Sequence, residues 1–214
     1  MATDEPLAPE RLDALLASAT STWRVVRQAQ GQRGYEAAVL AGEIPTRAGS
    51  WHDVFNVLAF ARFPASKQAL HRRVGELQVA RRERARAAGS RANDRSREED
   101  ALALIDECAV VLAGSPDALA TYERVQAEPL AAIDRVIRER GIRVRVLGHA
   151  LHEHLVLERP PISTTLVTVG VEGEFEWSRV DAALAGRIAE GGFPIPQRAA
   201  RLPWPDPRVD AWLE

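Results

Sequence analysis

The chain has 214 residues, of which 46% are hydrophobic and 27% charged, enough apolar material for a substantial core. Its formal net charge of −2 leaves no global basic field to recruit nucleic acid, and one cysteine, Cys108, excludes an internal disulfide framework and suits a reducing compartment. The N-terminus MATDEPLAPERLDALL lacks the basic-then-apolar order of a signal peptide, and no apolar run approaches the ~20 residues of a membrane span, so the expectation is a cytoplasmic protein.

Residues 9–30 carry apolar side chains at mixed helical spacing, from Leu12, Leu15 and Leu16 to Trp23, Val25 and Val26, and predict one or two helices. Tyr35 to Leu40 predicts a short helix stopped by Gly42 and Pro45, followed by a loop over Thr46 to Ser50. Ser50 suits an N-cap for a helix from 51 to 62, and Pro64 opens the next helix, which turns very polar after Leu77. Residues 81–99 contain no apolar residue larger than alanine and predict a frayed helix end and an exposed, arginine-rich loop. Ala101 to Ile105 reads as a strand, Asp106-Glu107 as a turn, and Ala109 to Ala113 as the returning strand. Ser115-Pro116 reads as an N-cap with proline at the first helical position, starting a helix to about 127. A further helix spans 129–140 with Gly141 at its end, and a strand follows through Val144 and Val146 with arginines alternating. Gly148 leads into a helix bearing His149, His152, Glu153 and His154, stopped by Pro160-Pro161. Thr164 to Val171 is β-branched and reads as a strand, and 178–190 as a helix. The tail over 193–214, rich in proline and tryptophan, predicts an extended segment packed by Trp204 and Trp212. Together these predict an α+β fold, mainly helical, a single domain over 1–214 with a small sheet of short strands.

Candidate chemistry concentrates in four places. His52 and Asn56 share one face of an otherwise apolar helix, with Asp53 a quarter turn away. His149 and Glu153 stand at i and i+4, with His152 at the same edge, directly after a strand. Asp106-Glu107 adds two acids that matter if their turn folds back on the histidines. Lys67, the sole lysine among 28 basic residues, is the fourth candidate, with His71 at i+4 on the same helix; a compact ammonium does things a guanidinium cannot, and the plainer reading of the pair is a solvated surface. Each has a plainer reading: a buried network that specifies the core, helix-surface pairing, or solvated turn residues. Cys108 could act as a nucleophile but more simply fills the core. The arginine-rich run carries seven arginines and two acids between Arg81 and Arg97 without aromatic residues to stack bases, which disfavours nucleic acid. There is no HExxH, CxxC pair, phosphate loop or nucleophile elbow.

The segments Tyr35-Glu36, Pro45-Thr46-Arg47, His52-Asp53-x-Phe55-Asn56, Phe63-Pro64-x-x-Lys67, Asp106-Glu107 and Gly148-His149-Ala150-Leu151-x-Glu153 occur in that order. In this pattern the chain resembles the bacterial family known as domain of unknown function 3025, over about residues 35 to 175. The resemblance implies no established activity; it implies that His52, Asp53, Asn56, Lys67, Asp106, Glu107, His149 and Glu153 have counterparts in other members. The chain departs from the pattern at His71, where asparagine is expected, at His154, where lysine is expected, and at Glu99, where arginine is expected.

The resulting expectation is a polar pocket for a small-molecule ligand, with metal-assisted hydrolysis as its most concrete chemistry. His52, His149, Asp106 and Glu153 are the expected ligands of a divalent zinc, manganese or iron ion. Asp53 or Glu107 is the expected general base, and Lys67 the anchor for an anionic group. Asn56 and His152 are the expected ligand contacts. The alternative is a non-catalytic binding or interaction protein in which the same side chains form a buried structural network. The sequence leaves open whether the three segments meet in space, and it leaves the oligomeric state open.

Overall fold

The computed structural model describes residues 6–28, 34–89, 95–159, 162 and 164–191. Helix α1 (Pro9–Ala19) buries Leu12 and Leu16, and is followed by strand β1 (Arg24–Arg27). Helix α2 (Tyr35–Leu40) leads to strand β2 (Glu43–Thr46), which pairs with β1 in parallel. The segment with Trp23, Val25 and Val26 is therefore a strand entry and strand, not helix, and Pro45 lies within a strand rather than ending a helix. Two adjacent β-branched residues after the Thr20-Ser21-Thr22 break carry that preference. A two-stranded sheet tolerates Pro45 because both of its strands are edges.

Helix α3 (Trp51–Arg62) is capped as expected, with the Ser50 hydroxyl accepting from the Asp53 amide. It divides two cores. Val54, Val57 and Phe60 pack with Leu12, Leu16, Trp23 and Ile44 on the N-terminal side. Ala59 and Phe63 join the main cluster against the second sheet. His52 and Asn56 lie between these two attachments.

Helix α4 (Pro64–Ala87) follows at once. No side chain of its own caps it; the Asp181 carboxylate instead accepts from the Ala65 and Ser66 amides at 2.8 Å each. Helix α4 runs well into the arginine-rich stretch, so the expected helix end extends through residues 81–87, mostly exposed, and less of the stretch is loop than expected.

Helix α5 (Arg97–Cys108) corrects the largest misreading. Ala101 to Ile105 is helix, and Asp106-Glu107 is its last turn, not a hairpin. The alternation in ALALI looks like a strand, but Ala101, Leu102 and Ile105 are buried at helical spacing while Leu104 faces outward at 37% exposure. A complete capping box, Ser96 with Glu99, fixes the start. At Cys108 the chain passes directly into strand β3 (Ala109–Gly114).

Strand β3 is buried along its whole length and forms the centre of a three-stranded sheet. Helices α6 (Pro116–Arg124) and α7 (Leu130–Glu139) follow it, then strand β4 (Arg143–Val146) and helix α8 (His149–Val156). Strand β5 (Thr165–Gly170) and helix α9 (Trp177–Glu190) complete the described chain. Strand β3 pairs antiparallel with β4 and parallel with β5. Its residues alternate between faces. Ala109, Val111 and Ala113 meet α4, α5 and α9, whereas Leu112 meets α6 and α7. Both faces are covered, which explains the unbroken apolar run AVVLAG. The fold is α+β and mainly helical, with two small sheets. No described helix is long and apolar enough to cross a membrane. The tail from 193 onward lies outside the described residues.

A candidate metal centre and its cavity

One glycine brings the polar segments together. A Cβ on Gly148 would meet backbone atoms of Cys108 and Ala109 at 2.5–2.6 Å, so only glycine lets the two chains cross here. The Leu147 and Gly148 amides both donate to the Ala109 carbonyl, at 3.0 and 2.9 Å. This crossing sets the first turn of α8 against the last turn of α5. His149 therefore stands beside Asp106 and Glu107, and α3 packs across α8 to deliver His52.

The hydrogen bonds decide the tautomers of both histidines. His149 Nδ1 lies 2.8 Å from the Asp106 carbonyl oxygen. A carbonyl only accepts, so Nδ1 carries the proton and Nε2 of the neutral ring presents a lone pair. His52 Nδ1 lies 3.1 Å from Glu153 Oε2, and donation to that carboxylate leaves His52 Nε2 with the lone pair as well. The two Nε2 atoms are 3.0 Å apart. Two lone pairs at that distance repel, so a cation belongs between them, either a metal ion or a shared proton. Glu107 adds an oxygen 3.3 Å from His149 Nε2. One atom from each of His52, Glu107 and His149 lies within 4.8 Å of the others, forming a cluster of potential metal ligands.

Burial pushes the His149 imidazole down to about 4; Asp106 opposes this, and Lys67 and His52 reinforce it. Burial raises the Glu107 carboxyl, and the neighbouring Asp106 charge adds to the rise. Glu153 also receives Arg159 at 3.0 Å, so its second oxygen is anchored while the first orients His52.

The other expected site residues are committed elsewhere. Lys67 is fully buried, ion-paired with Asp106 and donating to Asn56 Oδ1 at 2.9 Å. It also lies over the Phe60 ring at 4.5 Å. Burial alone would raise the Asp106 carboxyl, but Lys67 and the nearby histidines hold it well below the usual range. Asp53 accepts three hydrogen bonds from Arg47, at 2.6 Å from the backbone amide and 2.9 and 2.8 Å from the guanidinium. These outweigh the burial of Asp53 and lower its carboxyl. His152 stacks on Phe55 with centroids 5.7 Å apart and is not among the residues lining the cavity. Burial raises the Cys108 thiol to about 11, which opposes a nucleophilic role.

Beside the His–His–Glu cluster lies a cavity of about 380 Å³, within the range of small-molecule sites. His52, Glu107 and His149 line it, together with two residues that sequence reasoning passed over as contacts, Tyr35 and His71. Tyr35 had one readable signal, its place in the family pattern; His71 had its i, i+4 spacing from Lys67, which reads as a solvated helix surface rather than a buried ring.

The family model for a protein of unknown function, DUF3025, matches residues 23–204. The chain belongs to this DUF3025 family. Neither the curated proteins nor the solved structures contain a match. The family match covers every segment that meets at the cluster, but it brings no activity with it.

Proposed function

We propose that this DUF3025 member is a metal-dependent hydrolase whose ion is held by His52 Nε2, His149 Nε2 and Glu107. The convergence of two imidazole lone pairs at 3.0 Å, each fixed by a bond at the opposite nitrogen, carries this reading. Ligands ~2.1 Å from a tetrahedral ion stand ~3.4 Å from one another, close to the separations of 3.0 and 3.3 Å found here. Histidines that bind metal characteristically donate their other N–H to a carboxylate or a backbone carbonyl, and this pair has one of each. Two nitrogens and one oxygen suit zinc, manganese or iron, and three protein ligands leave a position for water. A metal-bound water deprotonated near neutral pH is the nucleophile such a centre supplies. On this reading Glu153 and the Asp106 backbone orient the ligands. Lys67 and Asp53 hold the walls rather than touching substrate.

The test is elemental mass spectrometry on protein purified without an affinity tag or chelator. Near-stoichiometric zinc, manganese or iron that vanishes in the His52→Ala/His149→Ala variant supports the centre. A protein that holds no metal and takes none up on titration rejects it.

A second reading, a binding protein without catalysis, rests on the Lys67–Asp106 and Arg47–Asp53 pairs, which satisfy each other as a structural network does. It predicts that the double histidine variant loses several kcal/mol of stability, as breaking a buried polar network does. The metal reading predicts a folded variant of similar stability.

A further inference from the structure

His71, two turns into α4, has 2% exposure, and its ring is clamped between aromatic neighbours. Phe60 stacks nearly parallel at 5.4 Å between centroids, and Tyr35 meets it edge-on at 5.5 Å. The ring packs like a core aromatic, yet neither nitrogen has a hydrogen-bond partner among the described residues. An orphaned buried polar atom destabilises the fold, a cost that leucine or phenylalanine at this position would avoid.

Tyr35 shows a matching gap. Lys67 can only donate, so Asn56 turns Oδ1 towards it and Nδ2 towards Tyr35 Oη, at 2.6 Å. The Tyr35 oxygen is thus used as an acceptor, and its own proton finds no acceptor among the described residues. The ammonium polarises the amide and the amide polarises the phenol, so the O–H is a strengthened donor. Tyr35 and His71 line the same cavity as Glu107 and His149.

This wall carries no net charge, because Asp106 neutralises Lys67. Burial pushes the His71 imidazole down to about 3, with Lys67 adding to the shift, so the ring is neutral. We propose that Tyr35 and His71 form a binding subsite for an uncharged carboxamide group, with the phenol donating to its carbonyl oxygen and a His71 ring nitrogen accepting its N–H. A carboxylate would bring an unpaired, desolvated charge into a wall where Asp106 already neutralises Lys67, and an ammonium would lie desolvated beside Lys67. The substrate class for the hydrolase reading is then an amide, and in that respect the subsite rests on that reading; the binding itself needs no metal.

The test titrates metal-free, ¹⁵N-labelled protein with acetamide and, separately, with acetate, following the His71 ring nitrogens by long-range ¹H–¹⁵N correlation. The expected result is a saturable shift with acetamide, and binding roughly tenfold or more weaker for acetate and in Tyr35→Phe, since a site built to bond a polar group rejects partners that leave it unpaired. His71→Leu is expected to fold with equal or higher stability and to lose the acetamide response at the Tyr35 resonances. No saturable shift, equal response to acetate, or a His71→Leu variant that is less stable overturns the subsite. Because metal is absent, the two readings fail separately. Acetamide binding in a protein that never takes up zinc sinks the metal centre alone, and zinc uptake without an acetamide response sinks the subsite alone.

Discussion

The two sides of the cavity treat their polar groups differently. On one side, Lys67, Asp106 and Asn56 bond to one another, as do Arg47 and Asp53. On the other, His52 and His149 face each other with lone pairs, and His71, although it lies beside Lys67, has no partner among the described residues. The charged residues are the conspicuous ones in the sequence, yet they hold the walls. The groups left without a partner at one or both nitrogens are imidazoles. A buried polar group that finds its partner within the fold stabilises the fold; one that does not is available to a ligand.

The satisfied side should dominate stability. Lys67→Met strands the buried Asp106 carboxylate and should cost about 3–5 kcal/mol in chemical denaturation. Lys67→Met/Asp106→Leu should recover most of that loss. If the single variant proves as stable as the parent, the wall is not a buried ion pair and the comparison collapses.

Gly148→Ala tests the crossing that joins α5 to α8. A Cβ that meets backbone at 2.5 Å must force a shift, and overpacking of this kind costs about 1–3 kcal/mol. The same variant should lose metal, because His149 moves away from His52. A stable Gly148→Ala protein with full metal content would show that this glycine does not set the site.

On the unsatisfied side, Glu153→Gln should leave the fold intact and weaken metal binding about 10–100-fold, the usual effect of removing a partner that orients a histidine ligand. Unchanged affinity in a competition titration would remove Glu153 from the account.

A further effect concerns pH. His71 has a folded-state pKa of about 3, below its usual 6.5, so the unfolded chain binds the extra proton. Stability is fully present above about pH 6.5 and falls towards pH 3, by up to about 1.4 kcal/mol per pH unit for this one group. Lys67, Asp106 and His149 are the charged or titrating neighbours that act on it. His71→Leu should flatten the acid limb of the stability curve, as measured by denaturation from pH 7 to pH 4. A limb of the same slope in the variant would assign the acid sensitivity to other groups.

Much of the fold was legible where local chemistry decides it. Ser50 and Ser115 announce helix starts, Pro64 and Pro116 occupy first-turn positions, and the β-branched run after Thr164 forms β5. The reading failed where tertiary pairing overrides local pattern. Val25 and Val26 needed β2 to become a strand, and ALALI needed the Ser96–Glu99 capping box to be weighed above its alternation. The three polar segments were visible as candidates, but their meeting depends on one close backbone approach at Gly148 that no spacing announces. The geometry also redistributes partners. Glu153 reaches His52 on another helix rather than His149 on its own, although the i and i+4 spacing suggested the latter. Tyr35 stayed hidden because an aromatic residue at helical spacing reads as core, and His71, at i+4 from Lys67, reads as a solvated helix surface, whereas the structure buries it between Phe60 and Tyr35.

The most direct measurement is anomalous X-ray diffraction at the zinc edge from crystals soaked in zinc. The account predicts one strong peak about 2.1 Å from His52 Nε2 and His149 Nε2, with Glu107 as the third ligand. A cavity with no peak, and with the two Nε2 atoms still in contact, would mean that a shared proton joins them and that the metal centre does not exist.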